Sequence, residues 1–259
     1  MSFEFSSLKN KCKYFSVQKA KINQEKLFFE SFFSPEACNK NNNGGRIAYG
    51  KVNGKNGIIL STAATEGEEF EAQNDNSYLG KIIFFSDEDK NPQIISKGHR
   101  NPQGLYADGE LILLTEHGPY GGDEINKIVP NKNYGWPISS YGETYDFKIG
   151  QSEFNYFKSH NKKNFEEPVF SFVPSIGISE IIKIPNNFSR YWNDNFFVTS
   201  LNGSSLFRIK FDLNFEKVIF SEKIILLSRI RDIIYIKEIN SFALAMEDYG
   251  EIWLLKTAN

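Results

Sequence analysis

The sequence predicts an all-β fold arranged as a β-propeller. Its apolar segments are short and rich in Ile, Phe, Val and Tyr, the residues that favour strands. Turn residues, mainly Gly, Asn, Asp and Pro, separate these segments. No segment keeps a helical period apart from one short turn expected near residues 34–38. Related units also recur along the chain, which is typical of propellers.

The expected strands follow one another through the whole sequence. In chain order they are KYFSVQKAKI, GRIAYGKV, GIILSTA, KIIFFS, QIISKG, LILLTE, EINKIV, PVFSFVP, EIIKIP, NFFVTSL, SLFRIKF, KVIFSEKIILL, RDIIYI, SFALAM and EIWLLK. The connecting turns include VNGKNG, SDEDKNP, ADGE, PNKNYGWP, LNG and DYG.

Four units repeat one order of features: a polar motif, a strand, a turn, an apolar strand, a Gly-containing loop and another strand. Their starts are spaced by roughly 50 to 75 residues, which suits propeller blades of about four strands. A β-sandwich explains the strands but not a polar motif before the first strand of each unit. In a propeller, these motifs face the central channel. The four units and a strand pair before Cys38 predict four to five blades.

Bulk composition excludes several classes of function. The formal net charge is −2, which gives no electrostatic basis for binding nucleic acid or an anionic membrane. No run of about 18 apolar residues is present, and no signal peptide is visible at the N-terminus. The two cysteines, Cys12 and Cys38, could pair in an oxidising compartment, and the sequence leaves their pairing open.

The stretch from Gly98 to Pro137 concentrates polar chemistry on both sides of the apolar run LILLT. In a propeller, the loop before an inner strand and the loop after its neighbour reach the same end of the channel. Asp123 and Glu124, with exposed carbonyls, could hold a hard cation such as Ca²⁺. The alternative is that GHRNPQG is a turn and GPYGGDE a solvated hairpin loop. His160 lies in a Lys- and Asn-rich loop and is expected to be solvated.

Taken together, the motifs resemble a known family. GHRNPQGL, TEHGPYGGDEIN and NYGWPISSYGE, in this order, closely resemble the soluble PQQ-dependent aldose sugar dehydrogenases of the glucose/sorbosone dehydrogenase family. Downstream, VPSIGISEI is similar to that family's PSIAPSG segment, SLNGSSLFRIKFD to LKGxxLxRL, and SRIRDI to RIRDV. Upstream, NNNGGRIAYG is similar to HxGGRxxFG. The resemblance covers essentially the whole chain.

The resemblance implies a six-bladed type of β-propeller, here N-terminally truncated to about four and a half blades. Residues 1–259 are expected to form a single domain. Residues 1–38 would supply the outer strands of an incomplete blade, and residues 39–259 about four blades. The open edge of such a ring invites pairing with another edge, so a homodimer through this edge is expected.

The resemblance also implies PQQ as the cofactor. Arg100, Asn101 and Gln103 would lie at the quinone, where Arg100 would also contribute to catalysis. Arg229 and Arg231 would face the PQQ carboxylates, for which paired guanidinium groups are well suited. The alternative for these two arginines is rim salt bridges with neighbouring carboxylates.

Calcium and sugar positions follow from the same resemblance. The carbonyls of Gly118 and Pro119 would hold the Ca²⁺ that polarises the quinone. Glu124 and the Tyr134 carbonyl would hold a second, structural Ca²⁺. His117 and Asp123 would lie on the substrate side, although His117 could equally be an ordinary loop histidine.

At three places in the expected cofactor and substrate site, the sequence departs from the family pattern. Asn42 stands where the family has its catalytic His, four residues before Arg46, and an amide cannot accept a proton at neutral pH. Ala63 or Ala64 stands near a family Asp, and Asn202 stands where a family Lys binds PQQ.

The expected function is therefore PQQ- and calcium-dependent oxidation of an aldose at C1, impaired by loss of the base. The alternative is a non-catalytic propeller that binds a sugar or a protein partner through the same face. The family implies a periplasmic or secreted location.

Overall fold

The computed structural model describes residues 2–7, 12–22, 26–35, 37–39, 44–65, 67–144 and 156–257. These residues form strands and three short 3-10 turns, with no α-helix among them. The predicted all-β class is confirmed. The turns lie at Glu69–Ala72, Asn161–Lys163 and Lys237–Ile239. Within the described part of the chain, no helical segment has the length and apolar character needed to cross a membrane.

The strands form five sheets that follow one another along the chain. The first sheet contains β1 (Ser2–Ser7), β2 (Cys12–Ala20), β3 (Phe29–Phe33) and β4 (Cys38–Asn39). The second sheet contains β5 (Gly44–Val52), β6 (Lys55–Thr62), β7 (Lys81–Ser86) and β8 (Pro92–Lys97).

The third sheet contains β9 (Pro102–Asp108), β10 (Leu111–Glu116) and β11 (Asp123–Lys127), and its outer strand is β13 (Phe170–Phe172). Between them in sequence, β12 (Lys132–Asn133) returns to pair in parallel with β8. The fourth sheet contains β14 (Ile178–Lys183), β15 (Asn195–Ser200), β16 (Ser205–Phe211) and β17 (Val218–Ile225). The fifth contains β18 (Ile230–Ile236), β19 (Ser241–Met246) and β20 (Glu251–Leu255).

The hydrophobic core lies in layers between consecutive sheets. Along β10, Ile112 and Leu114 face the second sheet, whereas Leu113 faces the fourth sheet. Along β15, Phe196 packs toward the third sheet and Phe197 toward the fifth. Successive strand residues point to opposite faces, so a central blade strand covered on both faces is apolar throughout. This explains why LILLT and NFFVT are continuous apolar runs.

The first strands of the second to fifth sheets lie beside one another and line a channel. Arg46 of β5 reaches across this channel, with its Nη1 2.9 Å from Glu180 Oε2 and 2.8 Å from Asp232 Oδ2. The other Glu180 oxygen accepts the backbone N–H of Leu105 at 3.1 Å. One ionic cluster thus joins four blades at the axis, and the predicted β-propeller is confirmed.

The first sheet differs in part from expectation. β1 was not among the predicted strands, and it pairs along β2 in antiparallel register from Ser2↔Val17 to Ser7↔Cys12. The turn expected near residues 34–38 is also wrong, because Cys38 enters a short strand beside β2. Cys38 is disulfide-bonded in the structure. The assignment of residues 1–38 to an incomplete blade stays a prediction.

The fifth sheet presents an apolar outer face. Ile234, Ile252 and Leu254 are 58%, 66% and 51% exposed. Cross-strand register places Ile234 and Leu254 on one face, on either side of Ala243. The opposite face packs against the fourth sheet. A homodimer formed through the open edge stays a prediction.

We expect the channel cluster to make stability depend on pH. Burial raises the pKa of Glu180 from 4.5 to about 7, with Arg46 opposing and Asp232 reinforcing the shift. Its contribution to stability is therefore full below pH 4.5 and is lost as the pH rises through about 7. At about 1.4 kcal/mol per pH unit, the free energy of unfolding changes by at most about 3 kcal/mol.

Urea unfolding of the wild type and Glu180→Gln at pH 5 and pH 8 tests this. The wild type should lose more free energy of unfolding between the two pH values than the variant does. Glu222→Gln, which removes an exposed carboxylate on β17, is the control and should behave like the wild type. Equal losses in the wild type and Glu180→Gln would show that Glu180 does not titrate as described.

Candidate cofactor and substrate site

Three loops meet at one end of the channel because of strand pairing. β9 and β10 are antiparallel, with Glu116 opposite Pro102, so the loop before β9 and the loop after β10 share one end of the sheet. The third loop follows β12, which runs parallel to β8 just before Gly98. The Trp136 N–H donates to the Gly98 carbonyl at 3.0 Å. The segments GHRNPQ, EHGPYGGDE and NYGWP are therefore brought together.

Glu116 ties these loops to the sheet. Its Oε2 accepts the backbone N–H of Arg100 at 2.7 Å. Its Oε1 lies 3.1 Å from His99 Nδ1 and accepts the amide of Asn126 at 2.8 Å. Burial alone would raise the pKa of Glu116, but His99 and the hydrogen-bond donors outweigh it and lower the pKa. Glu116 is therefore a buried anion that fixes the loop carrying Arg100.

His99 completes this buried arrangement. It is 0% exposed, its Nε2 lies 2.8 Å from Ser96 Oγ, and its ring stacks on Tyr134 at 4.7 Å between centroids. Ser96, His99 and Glu116 have the order of a hydrolytic triad. Ser96 is only 2% exposed, however, so a substrate cannot reach its hydroxyl. The three residues position the loops instead.

Arg100 lies where the three loops converge. Its Nη1 donates to the His117 carbonyl at 3.1 Å and to the Gly118 carbonyl at 2.7 Å. The guanidinium lies 5.2 Å from the centroid of the Trp136 ring, within range of a cation–π interaction. Its Nε is buried without a hydrogen-bond partner among the described residues. One strong donor is thus left without an acceptor in the part of the chain that the structure describes.

The residues after Arg100 extend this donor surface. The Asn101 carbonyl accepts the N–H of His117 at 3.0 Å, and the Asn101 side-chain oxygen accepts the Gln103 amide at 3.0 Å. Gln103 Oε1 lies 3.4 Å from Arg231 Nη1. Arg100, Asn101, Gln103 and Arg231 are therefore linked, through the backbone of His117, into one connected cluster.

The two arginines of SRIRD lie at the rim. Arg231 Nη2 is 2.7 Å and Arg229 Nη2 is 3.4 Å from Glu247, and both side chains are about two-fifths exposed. The rim salt bridge considered from the sequence is therefore present. Because solvent screens exposed pairs, it leaves both guanidinium groups available to an anionic ligand.

His117 is partly buried beside this rim. Burial lowers its pKa, with Arg100 and Arg231 adding to the effect and Asp123 opposing it. Its Nε2 has no hydrogen-bond partner among the described residues. A neutral imidazole with one free ring nitrogen can donate to or accept from a hydroxyl.

Asp123 holds two loops together. Its Oδ2 accepts from the Ser175 hydroxyl at 2.7 Å and from the N–H groups of Ile176 and Ile178 at 3.0 and 2.9 Å. Its Oδ1 accepts the Gly118 N–H at 3.1 Å. These bonds support a positioning role, and the predicted contact with substrate stays a prediction.

The positions at which the sequence departs from the family pattern lie partly inside and partly outside the described residues. Asn42 lies outside the described residues. Ala63 and Ala64 are fully buried, and the Ala64 N–H donates to the Arg100 carbonyl at 2.9 Å, so neither of these two positions supplies a carboxylate. Asn202 packs against Gly177: a Cβ added to Gly177 would lie 2.9 Å from the backbone nitrogen of Asn202.

Glu124 and Tyr134, the predicted ligands of a second calcium ion, have an unexpected neighbour. His160 was expected to be solvated, but it is 1% exposed and its Nε2 lies 3.4 Å from Glu124 Oε1. Burial raises the pKa of Glu124. Burial opposes protonation of His160, but Glu124, Glu167 and the Tyr134 carbonyl raise its pKa. The expectation for His160 is wrong because its polar sequence neighbours do not share its environment.

Comparison with known proteins assigns the family. The family model "Glucose / Sorbosone dehydrogenase" matches residues 7–254. The aldose sugar dehydrogenase YliI of Escherichia coli is 29% identical over 243 residues, which are 87% of this chain and 62% of the relative. The chain thus spans about three fifths of that relative's length.

Solved structures show the same fold. The apo-form of the soluble aldose sugar dehydrogenase from Escherichia coli superimposes with a TM-score of 0.81 at 25% identity, covering 98% of this chain and 76% of that one. The PQQ-bound aldose sugar dehydrogenase from Streptomyces coelicolor gives 0.67 at 21% identity, covering 98% and 74%, and shows the fold alone. With these matches, the motifs and the loop geometry, the chain belongs to the glucose/sorbosone dehydrogenase family.

Proposed function

We propose that this chain binds PQQ at the channel mouth and, with calcium, oxidises an aldose sugar at C1. The observation that supports this most is the connected cluster of Arg100, Asn101, Gln103 and Arg231, in which the buried Nε of Arg100 has no partner among the described residues. A buried donor without a partner is costly, so a ligand acceptor would stabilise it. One structural relative is a PQQ-bound aldose sugar dehydrogenase.

The donor set suits PQQ. Arg229 and Arg231 present guanidinium groups that match carboxylates, and Arg100 supplies a further donor to the same cluster. When bound, PQQ supplies the acceptor for the hydride from C1, and Ca²⁺ polarises the quinone carbonyl.

The first calcium position is supported by the loop after β10. The carbonyls of His117 and Gly118 already converge on a cationic group, the Arg100 guanidinium. Carbonyl oxygens that face a common cation are suitable ligands for Ca²⁺. We propose, as the family resemblance implies, that the carbonyls of Gly118 and Pro119 hold this ion, which requires the Arg100 guanidinium to move away from the Gly118 carbonyl.

The sugar would lie beside His117. The free Nε2 of its imidazole can hydrogen-bond a sugar hydroxyl. The C1 hydroxyl proton needs a base; the amide of Asn42 cannot serve, and burial lowers the pKa of His117, which makes its imidazole a weak base. We therefore propose slow turnover. An exported location, as expected for the family, is part of this proposal.

Titration of the protein with PQQ in the presence of Ca²⁺ tests cofactor binding. Losing a charge-assisted hydrogen bond costs about 1.5–3 kcal/mol, so Arg231→Ala should weaken binding roughly tenfold or more. Arg190→Ala, which changes an exposed arginine outside the cluster, is the control. Equal affinity in the wild type and Arg231→Ala, or no binding by the wild type, would contradict the proposed site.

Dye-linked oxidation of aldoses by the reconstituted protein tests turnover. A positioned base typically contributes about 10² to 10⁴ in rate, so Asn42→His should be faster than the wild type. The gain should be partial, because no carboxylate at Ala64 orients the new imidazole. Adding Ala64→Asp and Asn202→Lys should give the fastest variant. Robust wild-type turnover that survives Asn42→Ala would show that the base lies elsewhere, whereas sugar binding without turnover in every variant would favour a non-catalytic propeller.

A further inference from the structure

A small cavity adjoins the loop cluster on the side of Glu124. Tyr134 and His160 line it together with Glu124, and Ser139 and Ser140 complete this part of the wall. The space holds roughly one water-sized occupant. The chemistry of the lining therefore decides which single ion or small group the cavity accepts.

His160 is the most unusual group in this lining. Its side chain is buried, with the residue 1% exposed, yet neither ring nitrogen has a hydrogen-bond partner among the described residues. Buried polar side chains nearly always have a partner, and leaving one without a partner is costly. An imidazole of this kind beside a cavity is suited to a ligand that the described residues do not supply.

The carboxylate of Glu124 lies next to this ring. Its Oε1 is 3.4 Å from His160 Nε2, and this contact is not a hydrogen bond because Nε2 stays unpartnered. The other oxygen, Oε2, accepts the amide of Asn126 at 3.2 Å, which orients the carboxylate. Two ligands of a tetrahedral Zn²⁺ with bonds of about 2.1 Å lie roughly 3.4 Å apart. The spacing of the nitrogen and the oxygen therefore fits a shared ion.

The imidazole is held in place from several sides. A Cβ added to Gly135 would lie only 2.7 Å from His160 Nδ1, so a side chain at this position would displace the ring. The ring of Tyr141 lies against it, with centroids 5.2 Å apart. The His160 carbonyl accepts the N–H groups of Lys163 and Phe165 at 2.9 and 3.1 Å. The nitrogen is thus positioned before any ligand arrives.

The donor set indicates the class of ion. Ca²⁺ takes oxygen ligands, whereas imidazole suits Zn²⁺ and other first-row transition metals. The Tyr134 carbonyl, which lies close enough to His160 to raise its pKa, is a third donor. Within the described ranges, no three His, Cys, Asp or Glu side chains are grouped to hold a metal. The shell would therefore consist of two side chains, a backbone oxygen and water.

We propose that His160 is a ligand of an ion shared with Glu124, and that this site binds Zn²⁺ or a similar imidazole-binding divalent cation in preference to Ca²⁺. The family resemblance implied only oxygen ligands here, from Glu124 and the Tyr134 carbonyl. A nitrogen ligand shifts the preference toward transition metals. The proposal goes beyond the proposed function, because it concerns the apo-protein and leaves the calcium position at Gly118 unchanged.

Equilibrium dialysis of the apo-protein against Zn²⁺ in excess Ca²⁺ tests the site without PQQ or sugar. The wild type should bind one Zn²⁺ more than His160→Gln, because an amide is a poor ligand for Zn²⁺. Zinc bound elsewhere on the surface is common to both proteins and cancels. Glu143→Gln, which removes a carboxylate that is 68% exposed, is the control and should match the wild type. Equal Zn²⁺ binding by the wild type and His160→Gln would overturn the proposal.

Thermal unfolding in excess Ca²⁺ gives a second readout. An ion that binds only the folded state raises Tm, so Zn²⁺ at a hundredfold excess over its Kd should raise the wild-type Tm by roughly 5 °C or more. Glu124→Gln should lose most of this rise. The wild type alone decides the matter if the variants do not fold, since the same concentration of Mg²⁺ should leave its Tm unchanged. No rise with Zn²⁺, or an equal rise with Mg²⁺, would contradict the proposal.

Discussion

The carboxylate of Glu116 accepts hydrogen bonds from the backbone of Arg100 and the amide of Asn126, and it pairs with His99. These partners come from the loop before β9 and from β11, whereas Glu116 itself ends β10. The position of Arg100 depends on these hydrogen bonds, because they fix it at the point where the three loops meet. A buried anion with all partners present is favourable, but losing one partner is costly.

The propeller fold explains why the buried hydrogen bonds of Glu116 can lie beside an open channel. Core residues such as Leu113 and Ile112 fill the layers on either side of the third sheet, so its strands are rigid. The loops at one end of this sheet are anchored to these packed strands. The channel beside them is polar, since Arg46, Glu180 and Asp232 form an ionic cluster there. Binding groups held on rigid strand ends need little rearrangement to receive a ligand.

The sequence predicted the strands and the loop cluster because both depend on local signals. Continuous apolar runs with turn residues between them indicate buried strands, and the ordered motifs located Arg100, Gly118 and Arg231. The N-terminal strand β1 was missed because SFEFSS is short and precedes no recognisable turn motif.

The buried polar residues were missed for a different reason. His160 lies among Lys and Asn, but its environment is set by Glu124 and Gly135, which are distant in sequence. Glu116 was taken as the end of a strand, since its partners His99 and Asn126 belong to other segments. Non-local pairing of this kind leaves no periodic signal. The sequence signal for such a residue is a carboxylate at the end of an otherwise largely apolar strand, as Glu116 is in LILLTE.

The most direct test of the central claim is backbone hydrogen exchange over residues 98–103 in the wild type and Glu116→Gln. The amide of Arg100 donates to Glu116 Oε2 at 2.7 Å, and a glutamine cannot satisfy the same three donors. We expect exchange in this segment to accelerate by tenfold or more in the variant, while residues 175–179, held by Asp123, stay protected. Unchanged exchange at residues 98–103 would show that Glu116 does not hold the site together.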